Sequence, residues 1–173
     1  MKIYKYRPDS DTYNSLHNLG DFSAFYVTKP LASGWEPPYR EEDRTVGKVG
    51  DFPSLIGGVP VFSLRAWEVL RPLIDNTVEA LPLETDGGRY YMIHVLDHVE
   101  ALDYSRAEVT RFSEGGVMYV DSYAFKPGLL RGKHMFKLPE TARSDVYVSE
   151  TFKSLVEKAG LEGLALVYLA EAD

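Results

Sequence analysis

The chain has 173 residues, a usual length for one domain, and its 45% hydrophobic and 26% charged residues are ordinary for a globular protein. It has no cysteine, which excludes disulfide bonds, thiolate metal sites and a cysteine nucleophile. The net charge of -7 argues against a nucleic-acid-binding protein, because such proteins present a basic face to the phosphates.

The hydropathy pattern gives an expectation about location. No apolar stretch is long enough to cross a membrane, and residues 1–9 lack the apolar core of a signal peptide. We therefore expect a cytoplasmic protein that binds neither membranes nor nucleic acid. The 12 tyrosines favour a sheet-rich fold and are also common at protein interfaces.

Residues 1–50 form a variable N-terminal part with weak periodicity. Asp21–Val27 is predicted to be a strand because it combines aromatic and β-branched residues. Residues 29–50 are rich in proline, glycine and charge, and Pro37 and Pro38 exclude a helix interior. The sequence therefore predicts an exposed, Pro-rich loop over residues 29–50, and long loops in compact domains are often functional.

This loop carries the candidate partner-binding residues. Trp35 and Tyr39 are of the types that dominate interface hot spots. Glu41, Glu42 and Asp43 add carboxylates that would steer a basic partner. We take these five residues as the candidate partner-binding site, with a plain solvated loop as the alternative interpretation.

A first helix is predicted over about residues 63–75. Ser63 stands where an N-cap is expected, and Pro72 predicts a kink or an early end. The apolar residues that follow recur at spacings of three and four, which indicates one apolar face: Leu64, Trp67, Leu70, Leu73 and Ile74.

Two pairs of strands are predicted around glycine-containing turns. Residues 78–83 and 89–96 flank the turn at residues 85–88, and residues 109–112 and 117–124 flank a second Gly-Gly turn. Strands joined by such short turns favour antiparallel pairing.

The C-terminal quarter is predicted to be strand, helix and strand. Val146–Val148 is extended, Ser149 is an N-cap, and a helix follows over residues 150–159. Gly160 fits a left-handed C-cap, and residues 164–169 form an apolar strand. The order of elements predicts an α+β fold, a mostly antiparallel sheet with two main helices packed on it, in a single domain of residues 1–173.

The segment His94-Val95-Leu96-Asp97-His98 is a candidate metal site. Its pattern is similar to the H-x-x-E-H motif of zinc peptidases, with aspartate in the place of glutamate. That motif needs a helix, whereas the preceding residues favour a strand, on which histidines four apart lie roughly 13 Å apart. A metal-dependent hydrolase that uses His94, Asp97 and His98 remains an alternative hypothesis.

Several segments taken together resemble one known family. The residues that carry the resemblance are Phe52-Pro53-Ser54, Val59 to Ser63, Val78 to Leu83, Tyr90 to Val95, Phe136 to Leu138, Val146 to Lys153 and Gly160 to Leu164. Their combination resembles the Imm11 family (DUF1629), the myxobacterial-type immunity proteins of bacterial polymorphic toxin systems. The resemblance defines a family-like core over residues 52–169.

The resemblance implies a protein that binds and neutralises a cognate polymorphic toxin by occlusion, inside the cell that makes the toxin. It implies no cofactor, no metal and no catalysis. The shared residues describe the scaffold, so partner specificity is expected in the first 50 residues. A further alternative is a homodimeric structural or interaction module that pairs through a Tyr-rich sheet edge.

Overall fold

The computed structural model describes residues 1–17 and 20–172. The strands within these ranges are β1 (Lys2–Lys5), β2 (Ser15–His17), β3 (Tyr39–Asp43), β4 (Ser54–Leu55), β5 (Val61–Ser63), β6 (Val78–Thr85), β7 (Tyr90–Val95), β8 (Glu108–Arg111), β9 (Val117–Ser122), β10 (Met135–Phe136), β11 (Tyr147–Ser149) and β12 (Val167–Glu171). The α-helices are α1 (Leu64–Ile74) and α2 (Glu150–Lys158), and short 3-10 helices span Ser23–Tyr26 and Pro139–Thr141.

Both α-helices form where the sequence predicts them, at about 63–75 and 150–159. Ser63 and Ser149 are their N-caps, and each side chain accepts a hydrogen bond from the backbone amide three residues further on, at 3.0 and 3.2 Å. These bonds satisfy amides that would otherwise be free in the first turn. Neither helix, nor any other in the described ranges, combines the length and apolar character that a membrane crossing requires.

The strands form two sheets and a separate hairpin. The four-stranded sheet has the order β10-β11-β1-β12 and is antiparallel throughout. The six-stranded sheet has the order β4-β2-β3-β6-β7-β5, with parallel pairing between β2 and β4 and between β3 and β6. Strands β8 and β9 pair only with each other within the described residues. The predicted α+β class with mostly antiparallel strands is confirmed.

Three clusters of buried side chains hold these layers together. The first joins α1 and α2 to both sheets and includes Phe62, Leu70 and Phe152. The second contains residues of β6 and β7 and packs under residues 22–35. The third joins the four-stranded sheet to residues of the β8–β9 hairpin. The helices therefore lie at the junction of the sheets, and the hairpin lies outside it.

The N-terminal part differs from its prediction at two places. The strand predicted for Asp21–Val27 is replaced by the 3-10 helix, because the Asp21 carboxylate accepts from both the amide and the hydroxyl of Ser23, at 2.8 and 2.9 Å, and closes a tight turn. The loop predicted for residues 29–50 contains β3, which pairs with β2 and β6. The C-terminal strand also begins at Val167, later than predicted.

Residues 29–38 are mostly exposed, and they run along an edge of β6 to which a few contacts attach them. The Glu79 carboxylate accepts from the amides of Leu31 and Ala32 at 2.7 and 3.1 Å. The indole N–H of Trp35 donates to the carbonyl of Pro82 at 2.8 Å. A strand edge without such a cover would expose free backbone groups to other chains.

A buried carboxylate joins the N-terminal part to the β6–β7 turn. Glu42 of β3 accepts from Asn14 at 2.8 Å, Tyr90 at 3.0 Å, Arg44 at 2.9 Å and the amide of Gly88 at 3.2 Å. Burial raises the pKa of Glu42, but the hydrogen bonds from Arg44, Tyr90 and Gly88 outweigh burial and hold the pKa below its usual range. The carboxylate is therefore charged and fully engaged inside the protein.

The close approach of this turn to Glu42 requires glycine at position 87. A Cβ at Gly87 would overlap the Glu42 carboxylate and the Arg44 guanidinium. We expect Gly87→Ala to lower the free energy of unfolding by about 1–3 kcal/mol, because the buried carboxylate has no free space to occupy. Urea unfolding followed by circular dichroism measures this change.

Gly116→Ala is the matched control for this substitution. Gly116 is also in a Gly-Gly turn, and a Cβ there would meet only the Phe112 ring, at 3.8 Å. We expect a change below about 0.5 kcal/mol for the control. Equal effects of the two substitutions would show that the Glu42 contact does not hold the turn in place.

Candidate protein-binding surface

The structure separates the five predicted partner-binding residues. Trp35 is half-buried, because its ring packs edge-on against Phe25 with the ring centroids 6.0 Å apart. The carboxylate of Glu42 lies in the network described above, and Asp43 pairs with His17 at 3.2 Å. Tyr39 is 58% exposed and Glu41 is exposed as well. Only these last two offer most of their surface to a partner.

Tyr39 borders a cavity of about 420 Å³ on the six-stranded sheet. Its cross-strand neighbour is Glu84 of β6, and the next pair on the same face of β6 and β7 is Pro82 with Tyr91. Arg89 also lines the cavity. The candidate site is therefore reduced to Tyr39, which lines a cavity whose other walls come from β6 and β7, and to Glu41, which is exposed but does not line that cavity.

A second exposed surface lies on the β8–β9 hairpin, and sequence reasoning missed it. Three large apolar side chains of the hairpin and one in the turn just before it are exposed by 43 to 51%, and we call the four the hairpin surface: Tyr104, Phe112, Met118 and Tyr119. Residues 39–56 carry four exposed large apolar side chains as well, but only Tyr39 among them is aromatic, whereas three of the four in the hairpin surface are. Exposed apolar residues in such a concentration mark protein interaction sites more often than isolated ones do.

The register of the hairpin explains why these side chains face solvent. Val109 pairs with Val120, and both pack toward the third core cluster. Thr110 pairs with Tyr119, so Tyr119 faces away from the core by strand alternation. The register shifts next to this pair, and Met118 is the extra residue of a bulge. The four-residue apolar run from Val117 to Val120 was the available signal, since a two-stranded hairpin buries only one face.

Local contacts hold the end of the hairpin in place. The guanidinium of Arg111 lies over the Tyr104 ring at 5.3 Å and donates to the carbonyl of Gly115 at 2.8 Å. The amide of Phe112 donates to the carbonyl of Gly116 at 2.8 Å. The exposed aromatic side chains therefore stand on a backbone that is fixed by hydrogen bonds.

The proposed metal ligands do not form a metal site in the structure. His94 lies on β7, which is a strand as the sequence context predicted, and its Nε2 lies 2.8 Å from the carbonyl of Lys29. Asp97 instead accepts from Lys133 at 2.9 to 3.1 Å. Over residues 1–17 and 20–172, no three side chains of the metal-ligating types come together. The hydrolase hypothesis therefore has no geometric support.

Lys137, next to these histidines, is buried without a carboxylate partner in the described structure. Its Nζ donates to the carbonyls of Phe25 and Ala142 at 2.8 and 2.9 Å and lies 5.7 Å from the centre of the Tyr26 ring. Burial lowers the pKa of Lys137 to about 8. Together with the contact of His94, these bonds attach residues 25–29 to the core.

The structure is thus an α+β scaffold that carries exposed apolar side chains on and beside one hairpin. The model of the Imm11 immunity protein family matches residues 80–171, which is more than half of the chain. The chain belongs to the Imm11 immunity protein family, as its sequence resemblance predicted. No curated protein matches it. The matched region begins later than the predicted core of residues 52–169, and it contains the whole hairpin surface but not Tyr39.

The buried lysine gives a pH dependence of stability that can be measured. Between pH 8 and 10.5 the unfolded chain retains a proton on Lys137 that the folded protein releases, so the free energy of unfolding rises with pH. Relative to Lys137→Met, we expect the wild-type value to rise by about 2 kcal/mol between pH 7.5 and 10.

Urea unfolding of both proteins at the two pH values measures this difference. The tyrosines titrate in both proteins, so their contribution cancels in the comparison. Parallel pH profiles for wild type and Lys137→Met would contradict the depressed pKa.

Proposed function

We propose that this protein neutralises a cognate bacterial toxin by binding it through the hairpin surface. Family membership supports the immunity role, and the toxin is the implied partner. The observation that carries the proposal is the concentration of exposed Tyr, Phe and Met side chains on β8–β9, inside the matched region. Aromatic residues and methionine are enriched at protein interfaces, where a few of them supply most of the binding energy.

The hairpin has the physical properties of an interface core. Its apolar side chains are exposed in the free protein, so their removal from water on binding favours the complex. Its backbone is fixed by the Arg111 and Phe112 hydrogen bonds, so binding loses little conformational entropy. Because Val109 and Val120 pack on the core, the hairpin also cannot be pushed aside without exposing apolar surface.

The proposed mechanism is occlusion. The antidote covers the active site of the toxin or a surface that the toxin needs, and no chemical step is involved. A stable complex of this kind buries about 1,600 Å² in total, so residues around the hairpin must also contribute. The net charge of -7 favours encounter with a basic toxin. We propose that this binding takes place in the cytoplasm of the cell that makes the toxin.

The test is the loss of protection when the hairpin surface is truncated. We expect Tyr119→Ala to weaken binding to the toxin encoded beside this gene by roughly 30-fold or more, as for a hot-spot residue. Calorimetry on the purified pair gives the affinity. Survival of cells that co-express the two proteins gives the protection.

Tyr168→Ala is the matched control, because Tyr168 of β12 is 52% exposed and Tyr119 is 51% exposed. We expect the control to change the affinity less than about threefold. Equal losses for the two variants would reject the hairpin as the contact. A toxin that neither binds nor is neutralised would reject the proposed function. If Tyr119→Ala instead converts a dimer into monomers at unchanged toxin affinity, the hairpin is a self-association surface.

A further inference from the structure

The cavity beside Tyr39 has two aromatic walls and one carboxylate. Tyr39 and Tyr91 stand on β3 and β7, and Pro82 and Glu84 stand on β6 between them. Neighbouring strands lie about 4.8 Å apart and same-face residues of β6 about 7 Å apart, so Tyr39, level with Glu84, and Tyr91, level with Pro82, are separated diagonally by about 12 Å. This arrangement leaves room for one long side chain.

The backbone around this cavity is held on both sides. The carbonyl of Pro82 accepts from the Trp35 indole at 2.8 Å, and the amide of Glu84 donates to the carbonyl of Pro38 at 2.9 Å. The guanidinium of Arg40 donates to the carbonyl of Tyr39 at 2.7 Å. The cavity therefore exists before a ligand arrives, and a ligand need not order the strands that form it.

We infer that this cavity receives an arginine side chain presented by a protein partner. The faces of Tyr39 and Tyr91 attract a cation, and Glu84 accepts from the paired N–H groups of a guanidinium. Pro82 offers an apolar surface to the side-chain stem. Arginine fits better than lysine, because its planar head stacks on aromatic rings and bonds a carboxylate through two N–H groups.

Arg89 lines the Tyr39 cavity but does not fill it. Arg89 also lines a neighbouring cavity of about 530 Å³, whose other lining residues include Glu68 and Glu162. It therefore lies at the boundary between the two cavities. Its positive charge lowers the attraction for an incoming guanidinium. Removing that charge should therefore strengthen binding at the Tyr39 cavity. This inference does not depend on the hairpin surface.

The test uses N-acetyl-arginine methylamide as the probe and nuclear magnetic resonance as the readout. We expect the ring signals of Tyr39 and Tyr91 to shift with millimolar affinity, while the uncharged citrulline analogue leaves them in place. Glu84→Gln should weaken binding about threefold and Arg89→Ala should strengthen it about twofold, as for exposed charge pairs. Glu108→Gln, an exposed strand glutamate on β8, is the control and should leave the affinity unchanged.

Any of three results would overturn the inference. The citrulline analogue could cause equal shifts, the shifts could be confined to other residues, or Glu84→Gln could leave the affinity unchanged. If the toxin presents the arginine, Glu84→Gln should lower the affinity of the protein for the toxin several-fold. An unchanged affinity for the toxin would show that the toxin is not the partner that presents the arginine. Failure of the toxin to bind at all contradicts the hairpin proposal alone, because the probe experiment needs no toxin.

Discussion

The buried carboxylate of Glu42 is the constraint on which the part of the six-stranded sheet around β3 and the β6–β7 turn depends. A charge that leaves water must find several donors, or it destabilises the fold by several kcal/mol. Glu42 finds its donors on Asn14 and, far away in the chain, on Gly88 of the β6–β7 turn and the adjoining Tyr90. β3 is thereby fixed beside β6, and the glycine at position 87 leaves space for the carboxylate. The same arrangement turns the neighbouring residues of β3 outward.

The N-terminal part is therefore integral to the fold, although it lies outside the family match. Lys137 and His94 bind its backbone at Phe25 and Lys29, and Glu79 binds the residues that follow. These anchors are Glu79 at the start of β6, His94 on β7 and Lys137 directly after β10. Evolution of the N-terminal part is thus limited by the core on which it packs, while its outward residues remain free to vary.

The sequence predicted those elements that depend on interactions between residues close together in the chain. The two serine caps, the apolar helix faces and the β6–β7 strand pair could be identified because each depends on neighbours in sequence. The burial of Glu42 could not be predicted, because charged residues are usually exposed and all of its donors except Arg44 are 28 to 48 residues away. The strand β3 was missed for the same reason. Of the five predicted site residues, Tyr39 and Glu41 are exposed, and their role in binding stays a prediction. The sequence analysis did not identify the hairpin surface, although its uninterrupted apolar run was visible.

The two faces of the β8–β9 hairpin differ in their environment: one packs on the core and the other is exposed. Val109 and Val120 secure it to the core, whereas Tyr119 and the bulged Met118 make no contribution to that attachment. Under the proposed function, a substitution on the outer side changes the surface offered to the toxin and leaves the attachment of the hairpin intact. An immunity protein of this kind can then follow a changing toxin by successive replacements at a few positions. Each of these replacements leaves the fold stable, because the side chains that attach the hairpin to the core are unchanged.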